Sequence, residues 1–172
     1  MQRQIGLSNE KLTEYMAYCV ELAKQASLEV NPPIVGAVVI SPDGKIIGKG
    51  YRNLLPHTKL TIHAERAAIN NTTGETRGCT LVTTLEPCMV ERKLRDRTKI
   101  FEPCSELIVK SGIVKVIYGI PDNSLSMGCL QGVNYLRTKG IEVVRYEDPR
   151  LNDVLQHLNS FGRPSKNSFV LC

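Results

Sequence analysis

His63-Ala64-Glu65-Arg66-Ala67-Ala68-Ile69-Asn70, followed after a Gly- and Thr-containing connection by Thr80-Leu81-Val82-Thr83-Thr84-Leu85-Glu86-Pro87-Cys88, decides the fold class of this chain. The first stretch sets Ala64, Ala67, Ala68 and Ile69 at helical spacing, and the second is a short β-branched run that ends in proline. A helix is therefore followed by a strand. Toward the N-terminus, Leu12, Tyr15, Met16, Cys19, Val20, Leu22, Ala23 and Ala26 recur at helical spacing behind a capping residue, Ser8. Ile34 to Ile40 is a β-branched run that enters the turn Ser41-Pro42-Asp43-Gly44, and Lys45 to Gly50 is the returning strand of a hairpin. Toward the C-terminus, Pro103 suits the first turn of a helix that Gly112 stops near Ser111, and Val114 to Ile120 is a strand. Gly128 to Lys139 is a helix ended by Gly140, and Glu142 to Arg145 is a last short strand. Such alternation predicts an α/β fold with a mostly parallel sheet and helices on both faces.

The same stretch carries the chemistry. His63, Cys88 and Cys104 offer one imidazole and two thiolates, the donors that zinc favours, and a site with three protein ligands leaves a fourth tetrahedral position for water. Zinc lowers the pKa of that water to about 7. Glu65, two residues after His63, is the natural proton carrier. In regular helix, residues i and i+2 point about 200° apart, so Glu65 is set apart from the ligands, yet at a helix start it can reach the water from the side. Cys88 and Cys104 each follow a proline, and Cys104 and His63 each open a helix, where the free N–H groups and partial positive charge stabilise thiolates.

His63-Ala64-Glu65 with Pro87-Cys88 and a later cysteine resembles the zinc-dependent cytidine deaminase superfamily, in which the Glu is acid and base and not a ligand. Fifteen residues separate Cys88 from Cys104, whereas nucleic-acid editing members usually place two residues there. The wide spacing, Glu102-Pro103-Cys104, Asn31-Pro32 ahead of Ile34-Val35-Gly36-Ala37-Val38-Val39, and Thr84-Leu85-Glu86-Pro87-Cys88 are similar to the deaminases of riboflavin biosynthesis. Of the short loop usual in bacterial members, Arg97-Thr98 alone has a counterpart here. The resemblance runs from about Leu12 to Val144 and implies a three-layer α/β/α cytidine deaminase-like fold with a mixed, mostly parallel five-stranded sheet. It also implies bound Zn2+, a homodimer or higher homo-oligomer, and hydrolysis of an aminopyrimidine nucleotide with release of ammonia. The implied substrate is a diaminopyrimidine ribosyl or ribityl phosphate, with Asn31 in contact with the base or the ribose; Ala64, Arg97 and Lys93 are further candidate substrate contacts. Asn31 is equally suited to making the turn before Pro32.

Composition bounds these readings. A chain of 172 residues suits one domain, with a deaminase domain over 1–147 and a C-terminal helix and tail over 148–172. In that last part Leu151, Val154, Leu155 and Leu158 form one apolar face, and residues 162–168 are loop-like. No apolar stretch approaches 18 residues, which predicts a cytoplasmic protein with no membrane contact. Six unevenly spaced cysteines favour thiols and ligands over disulfides; Cys19, Cys79, Cys129 and Cys172 are assigned no role. The net charge of +5 is modest, but Arg92, Lys93, Arg95, Arg97 and Lys99 crowd the loop between the two ligand cysteines. That loop is either a solvated charge run or a clamp on substrate phosphate, with Arg97 the leading candidate because its planar fork matches phosphate oxygens. A deoxycytidylate or nucleoside deaminase would use the same metal chemistry. A tRNA-type deaminase must hold an unpaired base, which 5% aromatic content without Trp argues against. A non-catalytic zinc-binding subunit would have no need of Glu65.

Overall fold

Ser8 caps the first helix as its position predicts: its hydroxyl accepts a hydrogen bond from the Lys11 amide at 3.2 Å, and α1 runs Asn9–Ala23. The structure, a computed structural model, describes residues 7–26, 29–30, 33–57, 60–89, 92–93, 99–122 and 130–160, with 92–93, 99–101 and 160 described as backbone. After α1 come β1 (Gly36–Ile40) and β2 (Ile46–Tyr51), joined by the expected turn, where the Ser41 amide donates to the Lys45 carbonyl at 2.9 Å. A small ribbon of β3 (Asn53–Leu54) and β4 (Thr61–Ile62) leads into α2 (Ala64–Asn70) and β5 (Thr80–Leu85). A second ribbon, β6 (Arg92–Lys93) with β7 (Lys99–Phe101), precedes α3 (Cys104–Lys110) and β8 (Lys115–Ile120). The chain ends in α4 (Gln131–Thr138), β9 (Glu142–Arg145) and α5 (Pro149–Ser160). The expected start of α4 at Gly128 lies outside the described residues.

The main sheet has five strands in the order β2-β1-β5-β8-β9. β1 is antiparallel to both β2 and β5, whereas β5 to β8 and β8 to β9 are parallel. The sheet is therefore mixed, and its parallel pairings fill the half where helices and strands alternate. Parallel strands need a crossover connection, which α3 and α4 supply; a hairpin brings β1 and β2 together and leaves them antiparallel.

Helices cover both faces. α1 and α5 pack on one side and α2, α3 and α4 on the other. Two glycines set how closely the layers approach. A Cβ on Gly36 would lie 1.9 Å from the Cys19 carbonyl of α1, and one on Gly50 would lie 2.4 Å from the Ala68 amide and 2.6 Å from the Ala64 carbonyl of α2. Between the layers, Met16, Val38, Val39, Leu81, Val82, Ile108, Val116 and Leu136 are fully buried. Each such side chain contributes about 1.5–3 kcal/mol relative to exposure.

α5 packs into this core, with Leu155 and Leu158 buried and the Leu158 carbonyl accepting from the Ile34 amide at 3.0 Å. Its start is tied to α1: the Tyr146 hydroxyl and Arg150 Nη2 both donate to Thr13 Oγ1, at 3.1 and 3.0 Å. Arg150 also pairs with Asp148 and holds that carboxyl well below the usual carboxylate range. Among the described residues no helix is long and apolar enough to cross a membrane.

Candidate active site

The C-terminal end of β5, the start of α2 and the start of α3 meet at one point. His63 occupies the N-cap position of α2 with extended backbone (φ −77, ψ 152), so its ring is not committed to a helix face. Pro103 is the N-cap of α3, one position ahead of the expected first turn, and its fixed φ turns the chain so that Cys104 is the first helical residue. Cys88 follows β5 through Glu86 and Pro87.

The three expected ligands are brought together. His63 Nδ1 lies 3.4 Å from Cys88 Sγ and 3.3 Å from Cys104 Sγ, and the ligand atoms all fall within 4.8 Å of one another. A tetrahedral zinc with ordinary Zn–N and Zn–S lengths separates such a nitrogen and sulfur by about 3.6 Å. The donor set and its spacing therefore fit zinc. The Cys104 amide donates to Cys88 Sγ at 3.4 Å. The hydrogen bond with the Cys104 side chain holds the Cys88 thiol well below its ordinary value, against the effect of burial and with help from His63. The same pairing, with burial, pushes Cys104 up. One of the two sulfurs is thus predisposed to be the thiolate that a metal requires.

Glu65 adjoins the three donors without being one of the grouped metal-ligating side chains. It lies in the first turn of α2 and is 4% exposed. Burial pushes its carboxyl up to about 7; the negative charge of Cys88 acts in the same direction, and His63, a backbone amide and Cys104 oppose it. A surface helix carboxylate would sit near its ordinary value. Ala64 is fully buried beside it. Asn31 and Arg97 lie outside the described residues, and Lys93 contributes β6 backbone, its side chain lying outside the description. His57 and His157 are exposed and join no donor cluster among the described residues.

Sequence reasoning gives no role to the residues that lock this site in place. Arg66 Nη2 donates to the Glu102 carbonyl at 2.7 Å, fastening the approach to Cys104 onto α2. Ser105, fully buried, donates its amide to the Cys88 carbonyl at 3.1 Å and its hydroxyl to the Pro87 carbonyl at 3.3 Å. Glu86 is 1% exposed. The available signal for Glu86 was an acid standing between a strand of buried residues and a proline, since carboxylates are almost never fully buried without partners.

Residues 9–120 match the family described as the cytidine and deoxycytidylate deaminase zinc-binding region. The chain is 36% identical over 158 residues to a riboflavin biosynthesis protein RibD of Actinobacillus pleuropneumoniae, covering 88% of this chain but 38% of that protein. It is 34% identical over 130 residues to a diaminohydroxyphosphoribosylamino-pyrimidine deaminase of Buchnera aphidicola, covering 75% of this chain and 80% of that one. Among solved structures, a diaminohydroxyphosphoribosylaminopyrimidine deaminase/5-amino-6-(5-phosphoribosylamino)uracil reductase from Thermotoga maritima superposes with a TM-score of 0.72 at 36% identity, over 89% of this chain and 40% of that one. With the three donors in reach of one ion, a buried carboxylate beside them and these likenesses along most of its length, the chain belongs to the zinc-binding cytidine and deoxycytidylate deaminase family, in its riboflavin-type branch.

Proposed function

We propose that this protein hydrolytically deaminates the diaminopyrimidine phosphoribosyl intermediate of riboflavin biosynthesis, releasing ammonia. The observation that carries the reading is the convergence of His63 Nδ1, Cys88 Sγ and Cys104 Sγ beside buried Glu65, in a chain whose relatives at 34% and 36% identity are named for that substrate. His63, Cys88 and Cys104 hold the metal. Zinc, when bound, supplies a water activated for attack near neutral pH. Glu65 takes a proton from the attacking water and passes it to a ring nitrogen, then takes the proton of the newly added hydroxyl and delivers it to the amine as the C–N bond breaks and the carbonyl forms. Burial pushes that carboxyl above its ordinary range, the direction that lets one group both accept and give a proton near neutrality. The ring gains an oxygen, the exocyclic nitrogen leaves as ammonia, and one water is consumed. Arg97 and Lys93 clamp the phosphate, and Asn31 and Ala64 orient the base and sugar. The same reading includes a deaminase domain over 1–147, a cytoplasmic location and, as the superfamily resemblance implies, a homo-oligomer.

The test is ammonia release by zinc-loaded protein from the phosphoribosyl and ribityl diaminopyrimidine phosphates, deoxycytidylate, cytidine and single-stranded RNA, with Glu65→Ala as the blank. Turnover of the phosphoribosyl compound, absent from the blank, is expected. Turnover confined to the ribityl form or to deoxycytidylate would overturn the substrate and keep the mechanism, and silence on every compound would overturn both.

A further inference from the structure

We propose that Glu86, which no step of the deamination uses, is a positioning residue for the metal site: its carboxylate binds the exit of β8 and the start of α4 to the Glu86-Pro87-Cys88 segment and thereby holds the Cys88 sulfur at ligand distance. The inference rests on the zinc reading above. Glu86 Oε1 accepts from the amides of Gly132 and Val133 at 3.0 and 3.3 Å, and Oε2 accepts from the Asp122 amide at 3.1 Å. These are the second and third residues of α4 and the second residue beyond β8, Gly132 lying ten positions after Asp122. Leu130 at the N-cap of α4 makes no side-chain cap bond, and its φ of 58 is in the left-handed region, so the carboxylate does the capping from another element. A buried carboxylate accepts only, with about four lone-pair sites for such donors; a glutamine would aim N–H at N–H.

The linkage to the sulfur is short and stiff. The Glu86 amide donates to the Ile120 carbonyl at 2.9 Å, fixing its backbone to β8. Pro87 then permits one φ well, and its carbonyl is pinned by Ser105 from one side and by α4 from the other. A Cβ on Gly132 would lie 1.9 Å from that carbonyl oxygen, so α4 already sits at backbone contact. Cys88 is the next residue, and its carbonyl is held by the Ser105 amide. Displacing the carboxylate therefore has little room to be absorbed before it reaches the sulfur.

The experiment compares wild type, Glu86→Gln, Glu86→Asp and Leu155→Ala, the last being a core change on the opposite face of the sheet. Zinc affinity is measured by chelator competition, and the ligand field by the visible absorption of the Co2+-substituted proteins. Glu86→Gln is expected to weaken zinc binding by about 10- to 100-fold, the range for groups that orient metal ligands, and to reduce the intensity of the tetrahedral Co2+ bands. Glu86→Asp restores part of both, whereas Leu155→Ala keeps wild-type affinity and spectrum at a comparable loss of Tm. In the wild type, binding and capping are reciprocal, so stripping zinc should speed hydrogen exchange at the Gly132 and Val133 amides; this measurement stands even where a variant fails to fold. Unchanged affinity and Co2+ spectrum in Glu86→Gln, or unchanged exchange at those amides on metal removal, overturns the proposal. Cys88→Ala separates the two readings: zinc retained there overturns the ligand set itself, and zinc lost there with Glu86→Gln unaffected overturns the positioning role alone.

Discussion

Glu65 and Glu86 are both buried carboxylates, 4% and 1% exposed, and their surroundings give them opposite work. Burial pushes both upward, but three described backbone amides hold Glu86 as an acceptor while Glu65 is pushed to about 7 beside the donor cluster. Glu65→Gln keeps the shape and removes the proposed proton carrier. It is expected to retain zinc by metal analysis while lowering turnover by about 10²- to 10⁴-fold, the usual share of a general acid or base; near-normal turnover would remove Glu65 from the mechanism. The grouping of His63, Cys88 and Cys104 was legible in the sequence because donor chemistry and spacing announce a metal site without any knowledge of the fold. Glu86 was not, because its partners are 36, 46 and 47 positions away and are backbone amides, which carry no residue signature.

At the scale of elements, two glycines of adjacent strands face opposite layers. Gly36 meets α1 and Gly50 meets α2, each at backbone contact. Alanine at either position is expected to cost about 1–3 kcal/mol in denaturant unfolding, the range for overpacking. The two differ in function: Gly50→Ala pushes on α2, which follows His63 at its N-cap and carries Glu65, so it should also weaken zinc binding, whereas Gly36→Ala should leave the affinity of its folded fraction unchanged. Equal metal affinity in both variants would separate α2 placement from ligand placement. The larger elements were legible because each combined a period with a punctuation mark: Ser8 before α1, Ser41 to Gly44 in the hairpin, Pro103 before α3, and Gly140 before β9. The ribbons β3–β4 and β6–β7 were not, since two- and three-residue ladders are too short to display alternation.

For the whole molecule, none of the three ligands is a member of the buried core cluster. The buried cluster extends from Tyr15 in α1 through β1, β5 and β8 to Leu158 in α5. Zinc binding should therefore add stability to a fold that persists without it. At free zinc 100-fold above Kd the gain is about 2.7 kcal/mol, or about 5–11 °C in Tm for a chain of this size. Scanning calorimetry with and without chelator should show that drop, and far-UV circular dichroism should show the helices retained; loss of the helical signal on chelation would make the metal a folding requirement. Alternation of helix and strand was enough to foresee the layers, but the direction of β1 depends on pairing partners far apart in the chain. That direction places the start of β1 at the same end of the sheet as the ends of β5 and β8, since the Gly36 amide donates to Thr84 Oγ1 at 3.2 Å. The turns at the other end contain the left-handed glycines Gly44, Gly78, Gly112 and Gly140. The molecule thus has a poled architecture. Insertions and substitutions at the metal-bearing rim are expected to alter what is recognised, and those at the glycine rim whether the chain closes, which would let specificity diversify with no revision of topology.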